Sequence, residues 1–233
     1  MKRKSIFALL VILVIPALVF ADGFEGRPIT NNLFVPTGYT LHKGEFTVGI
    51  GPVAFGISEN IQLETNILLW LFQIYNGGAK ISLFKNDFNA FSAGVGLWSF
   101  NSDFADDDAD GDVSVLGVGP YASYSQKIGP STKLHVGARY SYFEIDDDRD
   151  LDELEVGAGS DGTAVFGGLE YSMSHRTKFV VDGGYDFDFE GGRFGGGVLF
   201  GWNMFRLKLG VAYYSAGDGF TLPYIGLWWR FKG

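Results

Sequence analysis

Residues 180–189 read VVDGGYDFDF and alternate strictly between two kinds of side chain. Val181, Tyr185 and Phe187 are apolar or aromatic, whereas Asp182 and Asp186 at the intervening positions are acidic. Because successive side chains of a β-strand point to opposite faces, the segment predicts a strand with one apolar and one charged face. Such a strand suits a soluble sandwich with its apolar face inward, or a membrane barrel with its apolar face outward.

The N-terminus has the pattern of a secretory signal peptide. Residues 2–4 are Lys-Arg-Lys, residues 6–19 form an apolar run, and Ala21 ends the stretch with a small residue. The run is shorter than the roughly 20 residues that a membrane-spanning helix needs. We therefore predict a cleaved signal peptide over residues 1–21 and a single mature domain over residues 22–233.

Composition narrows the class of protein further. The 233-residue chain contains no Cys, so it has neither a disulfide framework nor a thiolate metal site. Its formal net charge of −9 argues against a nucleic-acid partner. It also contains 34 Gly and is 16% aromatic, and both features are typical of membrane barrels with aromatic girdles and narrow interiors.

Period-two alternation continues along most of the chain and predicts a series of strands. They span residues 45–55, 61–69, 77–85, 89–99, 113–126, 132–143, 164–174, 178–189, 193–202, 205–214 and 222–231. The connections between them alternate between short and long. Short turns on one side and long loops on the other are typical of bacterial outer-membrane barrels.

The alternation of connections also predicts the number of strands. A chain that enters from the periplasm needs one more strand before residue 45, and residues 31–41 (NNLFVPTGYTL) supply it, with an outer turn at His42. We therefore predict an all-β fold, a closed antiparallel transmembrane β-barrel of about 12 strands. Because Pro36 lacks a backbone donor for the ladder, ten strands remain the alternative.

Two segments resemble known proteins. The final strand YIGLWWRF, residues 224–231, resembles the aromatic C-terminal assembly signal of Gram-negative outer-membrane β-barrel proteins, although Lys232 and Gly233 follow it. The stretch PTGYTLHKGEFTVGIG, residues 36–51, resembles the opening of an uncharacterised group of bacterial barrels. This resemblance implies a location in the outer membrane of a Gram-negative bacterium. It also implies contact with lipid and lipopolysaccharide, and insertion by the barrel assembly machinery. It implies no activity.

A barrel of this kind places many charged side chains on its inward face. They are Glu64, Lys80, Arg139, Glu170, Lys178, Asp182, Asp186, Arg206, Lys208 and Arg230. Buried charges have to be paired or hydrated. One interpretation is a salt-bridge network that fills the lumen, and the other is a water-filled pore that selects small solutes.

An acidic loop offers the one candidate metal site. In FADDDADGD, residues 104–112, the carboxylates of Asp106, Asp108 and Asp110 have the spacing that begins an EF-hand-like Ca²⁺ loop. The position that should supply the final Glu ligand is Gly117. We therefore expect a hydrated loop, with Ca²⁺ as the alternative, and no other cofactor. A second acidic run, residues 144–155, is expected to be hydrated or to share divalent cations with lipopolysaccharide.

Motifs for catalysis are absent from the sequence. It holds three His and shows no nucleophile elbow, zinc motif or Gly-rich phosphate loop. We therefore expect a non-enzymatic outer-membrane barrel, porin-like or structural, with acidic outer loops. One alternative is a barrel hydrolase acting at the outer rim, where the predicted turn places His42. The other is a secreted soluble β-sandwich that binds a ligand.

Overall fold

The computed structural model describes residues 24, 27–50, 52–102, 113–147, 160–188, 190–215 and 219–232. Its strands close into an antiparallel barrel in which each strand pairs with its neighbours in sequence and the last pairs with the first. The strands are β1 (Phe46–Gly49), β2 (Pro52–Gly56), β3 (Ile61–Asn66), β4 (Ile74–Lys85), β5 (Asn89–Ser102), β6 (Val113–Lys127), β7 (Thr132–Asp147), β8 (Ser160–Ser172), β9 (Thr177–Asp186), β10 (Gly191–Trp202), β11 (Phe205–Tyr214) and β12 (Phe220–Phe231). The predicted fold, a closed barrel of twelve strands, is confirmed.

A short helix, α1 (Ile67–Trp70), follows β3 and is capped by the side chain of Asn66, which accepts a hydrogen bond from the backbone N–H of Leu68. Within the described ranges, no helix is both long and apolar enough to cross a membrane. The predicted signal peptide, residues 1–21, lies outside the described residues.

Connections differ in length at the two ends of the barrel. Residues 86–88, 128–131 and 203–204 are short connections at one end, which we call the short-turn end. Residues 103–112 and 148–159 join strands at the other end, which we call the long-loop end. Strands therefore run alternately toward the two ends, as the pattern of connections predicts.

The two faces of each strand meet different surroundings. In β9, the side chain of Asp182 points into the lumen and is 6% exposed, whereas Tyr185 points outward and is 42% exposed. Apolar side chains cover the outer surface, and many remain well exposed although they are large. A soluble sandwich would bury this face against a second sheet, so the structure supports the barrel interpretation of VVDGGYDFDF.

The N-terminal part of the predicted strand order is wrong. Residues 31–41 form no wall strand, since their backbone pairing with one another is limited to one isolated bridge between Asn31 and Pro36. They lie inside the barrel instead. The predicted strand 45–55 is in fact a hairpin of β1 and β2. The total of twelve strands is correct because these two errors offset each other.

The wall of the barrel is lower at one place than elsewhere. β1, β2 and β3 contain four, five and six residues, whereas β12 contains twelve. Near the short-turn end, Phe46 of β1 pairs with Phe231 of β12, and Ile61 of β3 pairs with Ile81 of β4. β1 pairs with β12 only as far as Trp228, well before the long-loop end of β12 at Phe220.

Candidate functional site

The lumen is occupied by the segment that precedes β1. We call residues 27–45 the plug. Val35 and Leu41 are buried there, and Ile29 and Leu33 pack with Val180 and Leu199 of the wall in one apolar cluster. Because the plug lies inside the barrel, its side chains face the wall or the lumen, and no face of the plug has to meet lipid.

Charged wall residues bind the backbone of the plug. One carboxylate oxygen of Asp182 accepts hydrogen bonds from the N–H groups of Phe34 (2.9 Å) and Val35 (3.1 Å). The Nζ of Lys208 donates to the carbonyl oxygens of Asn31 (3.3 Å) and Asn32. The plug is thus held by an acceptor and a donor that both come from the wall, and both charged groups bind its backbone.

Further contacts hold the N-terminal half of the plug. Lys80 Nζ donates to the carbonyl of Thr30 at 3.0 Å. Arg230 donates to the carbonyl of Pro28 (2.9 Å) and to the carboxylate of Glu45 (2.7 Å), which also pairs with Arg27 at 2.7 Å. Both halves of the plug are therefore fixed to the wall or to each other by ionised groups.

Glu45 connects the end of the plug to the last wall strand. Burial acts to raise the pKa of its carboxyl group, but the hydrogen bond and charge of Arg230, the backbone N–H of His42 and the charge of Arg27 outweigh burial. The pKa of Glu45 therefore lies below its usual value, and the carboxyl is ionised at neutral pH.

A serine, a histidine and a glutamate come together beneath the plug. Ser125 Oγ lies 2.7 Å from Nδ1 of His135, and Nε2 of the same ring lies 3.8 Å from Glu170. These are the residue types of a nucleophilic triad. Here, however, Ser125 accepts a 2.7 Å hydrogen bond from the N–H of Gly38, and its side chain is fully buried. Lys178 also donates to Glu170 at 2.5 Å.

This group therefore holds the plug rather than a substrate. Two neighbouring hydroxyls reinforce it, since Ser123 donates to the carbonyl of Thr37 at 2.9 Å and Ser92 does so at 3.3 Å. The predicted strand 132–143 contains His135, but no sequence motif assigned a role to it or to the serines. The serines share one feature in the sequence, since they stand at inward-facing positions of adjacent strands. That feature predicts a row of neighbouring hydroxyls only when the register of the strands is known.

A cavity of about 560 Å³ remains beside the plug. Its lining combines aromatic, amide and charged side chains. They include Gln62, Glu64, Trp98, Tyr121, Arg139, Arg193, Tyr224 and Trp228. Arg193 lies over the ring of Phe34 with its guanidinium carbon 5.3 Å from the ring centre.

Three other charged residues that were predicted to face the lumen lie at different places in the barrel. Glu64 lines the cavity and accepts a 2.8 Å hydrogen bond from Gln62. Arg206 donates to the carbonyls of Asn203 and Phe205 and lies over the ring of Phe24. Asp186 lies at the end of β9, half-buried, and accepts a hydrogen bond from the N–H of Asp188.

The predicted Ca²⁺ ligands Asp106, Asp108 and Asp110 lie outside the described residues. Among the residues that the structure does describe, no group of three or more His, Cys, Asp or Glu side chains could hold a metal ion.

The predicted outer turn at His42 is also wrong. Gly44 donates its N–H to Gly56 at 2.7 Å, which places the turn at the short-turn end, beside the β2–β3 connection. There His42 Nδ1 lies 3.0 Å from the exposed carboxylate of Glu59, and this hydrogen bond lowers the pKa of Glu59. A hydrolytic site at the long-loop rim therefore loses the histidine on which that alternative depended.

Comparison with known proteins supports the fold. No family model matches the sequence, and the comparison with curated proteins gave no match. Among solved structures, "KdgM porin in complex with disordered oligogalacturonate" is similar, with a TM-score of 0.53, 10% identity, and coverage of 81% of this chain and 97% of that chain. "KdgM porin" gives a TM-score of 0.49 at the same identity and coverage. The chain is therefore similar to a porin in its fold, as its resemblance to Gram-negative outer-membrane barrels implies.

Proposed function

We propose that the protein is a non-enzymatic outer-membrane barrel that admits small solutes and is closed at rest by its plug. The observation that carries this proposal is the binding of the plug backbone by Asp182, Lys80 and Lys208, with a cavity left open beside it. The likeness in fold to a porin solved with oligogalacturonate supports a role in solute passage.

The outer surface supports the proposed location. Large apolar side chains such as Leu209 and Val211 are exposed in mid-strand, where only lipid would cover them favourably. In this location the short-turn end faces the periplasm and the long-loop end faces outward. The partners that follow are lipid and lipopolysaccharide around the wall, and the barrel assembly machinery during insertion.

Opening requires the plug to move. Removing one partner from a buried hydrogen bond costs about 1–3 kcal/mol, and more where the group is charged. Spontaneous release of the whole plug is therefore rare, because several such bonds break together. A solute can favour the open state only by binding it more tightly than the closed state.

Planar-bilayer recording of the full mature chain tests the proposal. We expect the parent protein to conduct rarely, and Asp182→Leu to open far more often because Phe34 and Val35 lose their acceptor. Asp188→Leu is the control, since it removes an exposed carboxylate instead of a buried one. A parent that conducts continuously would show that the plug does not close the lumen. A folded Asp182→Leu that stays closed would favour a purely structural barrel.

A further inference from the structure

The wall contains a gap on the side of its shortest strands. β12 pairs with β1 only through residues 228–231, and beyond them Ile50 donates one hydrogen bond to the carbonyl of Leu227. On their other side, residues 220–227 pair with β11. At ~3.3 Å per residue, residues 220–226 form an edge of about 23 Å that no strand of the described part of the chain covers.

The opposite border of the wall gap is formed by α1 and β4. β3 ends at Asn66, whose backbone N–H donates to the side chain of Asn76 in β4 at 2.7 Å. The chain then turns through α1 and Leu71 to Phe72, and these two residues are exposed. Exposed apolar side chains at this border of the wall gap suit contact with lipid. In contact with water they would be unfavourably hydrated.

The cavity reaches the outer surface of the barrel through the wall gap. Ala54 and Gly226 face inward and line it, as expected. Val53 and Ile225 point to the opposite face of the same strands and line it as well, and Ile225 is 67% exposed. A cavity sealed by a complete wall would touch inward-facing residues only. This cavity is therefore continuous with the lipid-facing surface.

Two arginines give the cavity an excess of positive charge. Arg139 and Arg193 both line it, and neither makes a salt bridge with any residue in the described part of the chain. The Nε of Arg139 is buried without a hydrogen-bond partner. Glu64, by contrast, already accepts a hydrogen bond from Gln62. An anionic group would supply both guanidinium groups with the charged partner that no described residue gives them, through charge-assisted hydrogen bonds.

We propose that the wall gap is a lateral entrance for a free single-chain amphiphile with a carboxylate head group. Its head group binds Arg139 and Arg193, and its tail lies along the aromatic lining beside Trp98 and out through the wall gap. A cavity of about 560 Å³ fits one small ligand of this kind, since small-molecule sites span roughly 300–1,000 Å³, and it does not fit a two-chain lipid. The inference rests on the proposed function and names its class of solute.

Fluorescence quenching tests the site, with the refolded full mature chain in phosphatidylcholine vesicles and 11-bromoundecanoate as the probe. We expect a saturable component of tryptophan quenching that Trp98→Phe reduces and that Trp98→Phe combined with Trp228→Phe abolishes, because both indoles line the cavity. The double variant Arg139→Gln, Arg193→Gln should weaken it at least tenfold, and Arg193→Gln alone serves if the pair does not fold. The matched uncharged probe, methyl 11-bromoundecanoate, should show only the linear quenching of partition into lipid. Equal saturable quenching by acid and ester would overturn the proposal, as would a purely linear response.

The route of entry is tested by a matched pair of variants. Ile225 and Leu209 are direct cross-strand partners on the lipid face, but only Ile225 lines the cavity. Ile225→Asp should slow stopped-flow quenching by the acid at least fivefold, whereas Leu209→Asp should leave the rate unchanged. Identical rates in the two variants would place the entrance at the long-loop mouth. Equal Trp98-dependent quenching by a brominated phosphatidylglycerol would assign the site to a two-chain lipid.

Fluorescence quenching measures binding and requires no current across the membrane. A failure of this experiment therefore leaves the plug-gated channel standing, and a channel that never opens leaves the binding result standing.

Discussion

Leu209 and Phe187 both carry apolar side chains on the lipid face, but they lie at different depths. Leu209 is central in β11 and 42% exposed, whereas Phe187 lies just beyond the end of β9 and is 55% exposed. Arg at the midplane of a membrane barrel costs about 2–4 kcal/mol and near the interface about 0–1 kcal/mol. The depth of the residue in the membrane therefore sets the free-energy cost of the substitution, and the exposed fraction of its side chain does not.

We expect Leu209→Arg to lower the free energy of unfolding by about 2–4 kcal/mol and Phe187→Arg by about 0–1 kcal/mol. Urea titration of both variants in lipid vesicles measures the difference. If the two substitutions are equally harmful, the membrane does not lie where the strand register places it.

Glu45 gives the plug a dependence on pH. Its pKa is lowered in the folded barrel, so its stabilising contribution is fully present above the ordinary pKa of about 4.3 and is lost as the pH falls through the folded-state value. We expect channel openings of the parent to become more frequent below about pH 4, the range set by that ordinary value.

The variant Glu45→Gln isolates this group from the other carboxylates. At pH 7 it should already open as often as the parent does in acid, as single-channel recording would show. Glu59→Gln is the control, because Glu59 lies outside the plug in the β2–β3 connection, and its exposed carboxylate contacts the plug only through the side chain of His42 at the surface. Identical pH profiles for Glu45→Gln and the parent would remove Glu45 from the closing mechanism.

As an element, the plug depends on one close approach to the wall. A Cβ at Gly38 would overlap the carbonyl oxygen of Ala90, a backbone atom that cannot rotate away, and would crowd the N–H of Ser125. Gly38→Ala should therefore displace the plug locally and weaken its hydrogen bond to Ser125. We expect more frequent channel openings with little change in the urea midpoint, since the wall ladders are untouched.

Gly129→Ala provides the matched comparison for Gly38→Ala. Gly129 lies in a short connection, and its added Cβ would come no closer than 3.8 Å to Thr132. This variant should conduct as rarely as the parent. If Gly38→Ala is equally silent while correctly folded, the plug does not rely on that contact.

Sequence periodicity predicted the elements from β4 to β12 well because lipid outside and polar groups inside impose alternation on every strand between them. Periodicity failed for the segment that does not lie between lipid and the lumen. The plug has no lipid face, and its Phe34 and Val35 are satisfied by Asp182, a residue 147 positions from Val35. No local pattern encodes such a partner.

The β1–β2 hairpin was missed for a different reason. Residues 45–55 were predicted as one strand although their alternation changes phase, with large apolar side chains at even positions up to Ile50 and at odd positions from Val53. The change of phase coincides with the dipeptide Gly51-Pro52, which is a turn signal. Alternation along the strands was enough to predict that the charged side chains point inward. Which of them bind the plug and which line the cavity could not be predicted, because that depends on the position of the plug.

For the whole molecule, the apolar outer face predicts a location in the outer membrane. We expect membrane fractionation to recover the mature chain, beginning at Asp22, in the outer membrane. It should migrate faster in gels before heating than after, as a barrel that resists detergent does. Recovery in the soluble periplasmic fraction would contradict the barrel interpretation directly.

The short pairing between β1 and β12 constrains how the molecule is assembled. The two strands meet through four residue pairs, whereas β11 and β12 meet through ten. The seam between the first and last strands is thus short, like the three-pair ladder between β1 and β2, and its closure is the natural last step of biogenesis. Because the plug directly precedes β1, we expect it to enter the nascent sheet before that seam forms. A ring that closed too early would leave its own N-terminal segment stranded outside a finished, empty pore.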